Sequence, residues 1–214
     1  MKTLAELRKK TEQTGGNRTY ISLKEGEAVT IRFREELAED SKNYDPERGT
    51  TRLVAVHRSP INFKRSMVCT SDDGGCWACE QVAVAAEGNK WRPQNHLLAN
   101  VGVLDDNGKW TNAILDQGFS KSHIGDDIVD YALTHDSIVN AVFKLKREGS
   151  GLATNYSLIT MDMHLGPEPE ELASVPREDL SAAKYKTIAY ADQEEWMTTS
   201  DDNSVASAAT AKKW

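Results

Sequence analysis

Cys69, Cys76 and Cys79 are the three cysteines of this 214-residue chain, and their spacing is Cys-x6-Cys-x2-Cys. Cys76-Trp77-Ala78-Cys79 is the short chelating unit of tetrahedral zinc sites, because two thiolates separated by two residues reach one ion from a single turn. Gly74-Gly75 immediately before it lets the backbone fold tightly and aim amides at the sulfurs. Three thiolates need a fourth ligand. His57, at the end of a predicted strand, is favoured, since a strand-end His and loop cysteines make a compact Cys3His knuckle; His96 is the alternative. Four such ligands close the coordination shell, so the expected cofactor is one structural Zn2+ per chain rather than a catalytic metal. His123, His135 and His164 read as surface or helix histidines.

Other cysteine chemistries fit less well. A disulfide would leave one thiol over and needs an oxidising compartment. The charged stretch Met1 to Lys10 has no apolar signal region, so a cytoplasmic location is expected. A redox Cys-x-x-Cys opens a helix in a βαβ unit, and that pattern does not surround Cys76. Zinc deaminases need H-x-E and P-C-x-x-C, whereas Gly75 precedes Cys76. There is no P-loop, nucleophile elbow or paired-carboxylate motif, so the chain is not expected to be an enzyme. Asp126, Asp127 and Asp130 fall on the polar face of a predicted helix. No apolar run is long enough to span a membrane.

The elements that must position the cysteines follow from periodicity. Thr3 and Glu6 form a capping box for a short polar helix ended by Gly15-Gly16. From Thr19 to Phe33 the period is two: Tyr20, Ile21 and Leu23 lead into a turn at Lys24 to Glu27. Val29, Ile31 and Phe33 then alternate with Arg32 and Arg34, which predicts a half-buried strand with both arginines on the open face. Glu35 to Gly49 reads as a loop and Arg52 to His57 as a strand. Trp77 to Glu87 reads as a short helix closed by Gly88. His96 to Leu104 and Trp110 to Leu115 flank Asp105-Asp106-Asn107-Gly108, a strong hairpin signal. Ser120 to His135 is helical by its Ile124, Ile128 and Tyr131 face. Ser137 to Lys146 and Thr154 to Met161 are the last strands. The expected class is mainly β (α+β), an OB-fold-like five-stranded barrel with a zinc-binding insertion. The expected division is an N-terminal arm at 1–16, a core at 17–165 with a zinc subdomain at about 57–90, and a flexible acidic tail at 166–214.

Charge sharpens the functional reading. The net charge is −7, yet residues 1–150 carry 21 basic and 22 acidic side chains while 151–214 carry 5 and 11. The body is nearly neutral, and residues 51–65 hold Arg52, Arg58, Lys64 and Arg65 with no acid. Sequence-independent binding of single strands needs a cationic groove for phosphates and aromatic faces for unpaired bases. Arg32, Arg34, Arg52, Arg58, Lys64, Arg65, Arg92, Lys144, Lys146 and Arg147 are the expected groove cations. Phe63 is the strongest stacking candidate, in the basic loop Asn62-Phe63-Lys64-Arg65 with no strand pattern to bury it. Trp91 and Tyr156 are further candidates, with Trp77 and Trp110 behind them.

The ordered set His57, Cys69, Cys76, Cys79 resembles the zinc motif of the helix-destabilising single-stranded DNA-binding proteins of T-even phages. Tyr20 to Phe33 resembles the opening hairpin of actinobacterial-phage members. Val142 to Arg147 with Gly149-Ser150-Gly151-Leu152-Ala153-Thr154-Asn155-Tyr156 resembles their late strand pair. The resemblance covers roughly 17–160. It implies an OB-fold core, structural zinc, and a protein that coats single-stranded DNA in phage replication, recombination and repair. It also implies replication and recombination proteins as partners of the acidic tail. The alternative is a zinc-ribbon module that binds protein and no nucleic acid.

Overall fold

The structure, a computed structural model, describes residues 20–119, 124–162 and 168–200. The expected N-terminal arm, His123, His164 and the end of the expected tail, 201–214, lie outside the described residues. Those described form a mixed α+β protein with seven strands: β1 (Ala28–Phe33), β2 (Arg52–Arg58), β3 (Ser66–Val68), β4 (Gln94–Leu104), β5 (Trp110–Gly118), β6 (Val142–Glu148) and β7 (Asn155–Asp162). The helices are α1 (Trp77–Val84), α2 (Ile124–His135), α3 (Glu170–Ala173) and α4 (Tyr190–Thr198). Every strand pair whose register is resolved is antiparallel. The hydrogen-bonded path β3-β2-β4-β1-β6-β7, with β5 on β4, does not close on itself. Among the described residues the sheet is thus mostly antiparallel and open, where an OB-fold-like five-stranded barrel was expected. None of the described helices is long and apolar enough to cross a membrane.

The chain divides into two compact units. The first comprises residues 1–50, 99–116 and 128–178. Its β1 pairs Ile31 with Val103 of β4 on one side and with Phe143 of β6 on the other. Phe33 and Phe143 meet edge-on at 5.7 Å, and Tyr131 of α2 meets Phe143 at 5.0 Å. The hairpin after β4 forms as its Asn-Gly predicts: Gly108 adopts φ 78° and Asp105 exchanges backbone bonds with Gly108 and Lys109. β6 starts later than its apolar run suggests. The carboxylate of Glu36 takes Ser137 Oγ and the Ile138 amide (2.5 and 3.0 Å), so Ser137 to Ala141 is held as a turn before the ladder begins.

The second unit comprises residues 51–98, 117–127 and 179–214. Its β2 is paired with β3 (His57 opposite Met67) and with the first half of β4 (Val54 opposite His96). A core of Met67, Cys76, Ala78, Trp91 and Met197 fills it, with Trp77, Val82, Ile188 and Trp196 packed around. Gly88 permits the chain to turn back after α1, because a Cβ there would collide with the Val82 carbonyl.

The segment expected to be a flexible tail is ordered from 168 to 200, and each part belongs to one unit's core. In the first unit Leu172 of α3 is fully buried against Gly102, where a Cβ would meet its side chain. In the second, Val68 donates to Lys186 O (2.9 Å), and Tyr185, Gln193 and Met197 are buried. Composition misled here: a few apolar side chains spaced along these short acidic elements, Leu172, Leu180, Tyr185 and Met197 among them, are buried.

Glu35 carries the clearest perturbed acid of the first unit. Burial pushes its carboxyl up to about 7, against the pull of the Asn100 amide and of Arg177 and Arg34. Oε1 accepts the Asn100 amide (2.5 Å) while Oε2 has no partner among the described residues. A carboxyl with a folded pKa above its unfolded value favours the fold fully below the unfolded range, and that contribution is lost as pH rises through about 7. Glu35→Gln removes the slope. Its melting temperature relative to wild type should therefore climb between pH 5 and pH 8, by the equivalent of roughly 1–3 kcal/mol. Parallel melts in which the two proteins keep a constant offset would show that Glu35 does not titrate in the fold.

Candidate metal centre and its neighbouring loop

The second unit brings His57, Cys69, Cys76 and Cys79 together, their ligand atoms all within 4.8 Å of one another. His57 Nε2 lies 3.4 Å from both Cys76 Sγ and Cys79 Sγ, and Cys69 Sγ lies 3.5 Å from Cys79 Sγ. A tetrahedral zinc with bonds of about 2.3 Å to sulfur and 2.0–2.1 Å to nitrogen sets edges of roughly 3.5–3.8 Å. The four side chains could thus hold such an ion. His96 is elsewhere, its Nδ1 3.0 Å from the Tyr185 hydroxyl, so His57 is the fourth member of the cluster.

Each member is placed by a local rule. His57 is the penultimate residue of the half-buried β2 and is itself 0% exposed. Its Nδ1 lies 2.6 Å from the Trp91 carbonyl, which can only accept, so Nδ1 carries the proton and Nε2 keeps its lone pair for a metal. Cys69 follows β3 and is fixed by its amide to Ala55 O (2.8 Å). Gly74 and Gly75 take φ 117° and 138°, conformations other residues avoid, and deliver Cys76 to the N-terminus of α1. Burial raises the Cys76 thiol, but the Thr70 and Cys79 amides donate to its sulfur and bring it below the usual range. These amides aim at sulfur as the glycine pair suggested, although they come from other residues. Burial, then the adjacent Cys69 and Cys76 sulfurs, push the Cys79 thiol up to about 12. A bound divalent cation reverses that repulsion, since a coordinating thiol is deprotonated outright.

Three contributors gave little sequence signal. Gln193 of α4 is fully buried, accepts the Trp77 amide (2.9 Å) and donates to Thr70 Oγ1 and Ile188 O. Trp91 acts through its carbonyl. Met197 closes the core beneath the cluster. A long-range partner of this sort leaves no periodicity; the one hint is Tyr190, Trp196 and Met197 within an otherwise acidic stretch.

The expected groove residues separate into distinct environments. In the second unit Arg58, Phe63 and Arg92 line one open cavity of about 370 Å³ with Ser59, Pro60, Asn89, Lys90 and Gln94. Phe63 is 76% exposed, and Lys64 beside it is exposed too. Lys90 is paired with Glu87 (2.8 Å) on the surface. Arg65 donates to Trp196 O (3.0 Å) and stacks on the Trp196 ring, and Arg52 donates to Leu180 O and Ser181 O. Trp91 is buried and packs edge-on against Trp77 at 5.1 Å, so it is core rather than a base platform.

In the first unit Arg32 and Arg34 are buried, contrary to the open face expected for them. Arg34 binds Glu168, Asn112 Oδ1 and the carbonyls of Leu172 and Val175, and Arg32 donates to Val139 O. Both faces of β1 are covered from Ile31 to Phe33, and strand alternation alone cannot reveal a second covering layer. Lys144 and Lys146 share the face carrying Ser157 and Ile159, whereas Arg147 and Tyr156 pair on the other. Arg147 is spent on Leu23 O and Thr154 Oγ1.

No protein-family model, curated protein or solved structure matches this chain.

Proposed function

We propose that this chain binds single-stranded DNA without reading its sequence, and that one zinc ion at His57, Cys69, Cys76 and Cys79 stiffens the unit that presents the binding loop. The observation that carries the reading is Phe63: a large aromatic, 76% exposed, beside a cavity lined by Arg58, Lys90 and Arg92 and by no carboxylate among the described residues. An exposed aromatic costs solubility unless something stacks on it, and every unpaired base offers a π-face while its phosphate meets the cations.

The first unit supports an OB-like core as part of this proposal. Its strand path β5-β4-β1-β6-β7, with α2 entering between β5 and β6, follows the order of a five-stranded OB meander left open between β5 and β7. The residues between β1 and β4 are then the metal-bearing insertion. A role in coating single strands during phage replication, recombination and repair rests on the motif resemblance. Recruitment of replication partners through the acidic C-terminal region rests on the same resemblance.

The test is a titration with single- and double-stranded oligonucleotides at two salt concentrations. Single strands should bind more tightly, and affinity should fall as salt rises. Phe63→Ala should cost roughly 1–3 kcal/mol. Arg58→Ala and Arg92→Ala should each flatten the salt dependence. Equal affinity for duplex, or none for either, would leave the zinc-ribbon protein-interaction module as the better reading.

A further inference from the structure

Phe63 projects from the turn between β2 and β3. Residues 61 and 63 are both exposed, at 55% and 76%, so little apolar burial anchors them. The anchor is Ser59, which is fully buried. Its hydroxyl accepts the amides of Ile61 (3.1 Å) and Asn62 (2.9 Å) and donates to the carbonyl of Met197 (2.6 Å). The turn is closed by Ser59 N to Arg65 O (3.0 Å), Arg65 N to Asn62 O (2.9 Å) and the Lys64 amide on Asn62 Oδ1 (3.1 Å).

Met197 lies in the last turn of α4, where carbonyls have no intrahelical donor and must find one elsewhere. Ser59 supplies that donor for Met197, and Arg65 supplies it for Trp196. The Phe63 turn is thus docked on a helix end, and the same helix holds the Cys76 loop through Gln193. A single hydroxyl satisfies one acceptor of α4 and two donors of the turn, using all its hydrogen-bonding capacity.

We infer that Ser59 is the positioning residue of the stacking loop: by tying the turn to the end of α4 it holds Phe63 outward beside the Arg58–Arg92 cavity. The inference rests on the single-strand reading for its consequence in binding, though not for the ordering of the turn. Held in place, Phe63 meets a base without first being ordered, so the ordering cost is not charged to binding. Set free, it would collapse onto nearby apolar surface.

Two measurements on the full chain test it. In wild type, hydrogen exchange should show the amides of residues 61 and 62 protected despite the exposure of the turn. Unprotected amides there would overturn the inference, whatever the protein binds. In oligo-dT titrations, Ser59→Ala and Phe63→Ala should each weaken binding about tenfold. The double variant should be no weaker than Phe63→Ala alone, while zinc content stays at the wild-type level. Additive losses would make Ser59 a structural residue only and overturn the positioning role. If wild type shows the protected turn but does not bind oligo-dT, the single-strand reading fails and the tethering of the turn stands.

Discussion

Cys76→Ser is expected to abolish stoichiometric zinc binding and to lower the stability of the second unit by more than about 4 kcal/mol, a loss reserved for damage to a core or a metal site. Cys76 is at once a member of the candidate ligand cluster and a core residue, 3% exposed among Met67, Ala78, Trp91 and Met197. Without a cation, three sulfurs and an imidazole lone pair crowd within 4.8 Å of one another, Cys76 and His57 among them buried. The binding free energy of a structural zinc is folding free energy, on the order of 10 kcal/mol in isolated knuckles. A unit with its own strands and helices recovers part of that loss. Chelator added to wild type should reproduce the lower melting temperature of Cys76→Ser and leave the variant itself unchanged. His96→Ala should keep full zinc, because His96 faces Tyr185 instead. Wild-type protein that purifies without metal and melts identically with chelator would remove the centre from the account.

The metal cluster was legible in the sequence because its signal is local. Cys-x-x-Cys forces two sulfurs onto one helix start, a glycine pair marks the tight approach, and a histidine at a strand end fixes the remaining corner. The hairpin at Asn107-Gly108 and the strand at Val29 to Phe33 were legible for the same reason. What failed was every inference about a second layer. Alternation placed Arg32 and Arg34 opposite Ile31 and Phe33, correctly, but could not say that α3 and the chain around Val139 and Val175 would cover that face. Trp91 was ambiguous for a related reason: its ring packs on Trp77, a neighbour that only the fold supplies. Acidic composition suggested freedom for 166–214, yet one buried side chain every few residues is enough to dock a short segment. Burial of this sparse kind has no period to detect.

Ending the chain after Leu165 is expected to unfold the protein rather than to expose a groove. The missing segment supplies Leu172 to the first core, and Leu180, Tyr185 and Met197 to the second. Each buried side chain of this size contributes roughly 1.5–3 kcal/mol, so the apolar loss alone rivals the whole stability of a domain. The polar losses add to it. Arg34 would keep only Asn112 of its four partners, and a buried cation stripped of its carboxylate costs about 3–5 kcal/mol. In the second unit, Trp77 and Thr70 would lose Gln193, so the loop that aims Cys76 would fray and zinc affinity would fall with it. Thermal melts and zinc content of the 1–165 and 1–189 truncations, against removal of 201–214 as the control, separate these effects. The 1–165 chain should show no cooperative transition. The 1–189 chain should keep Arg34 paired with Glu168 while losing zinc, because Gln193 and Met197 go with α4 and nothing in the first unit does. A 1–165 chain that melts cooperatively and keeps its zinc would mean that the packing of residues 168–200 contributes little, and the acidic segment would again be free to compete for the cations around Phe63.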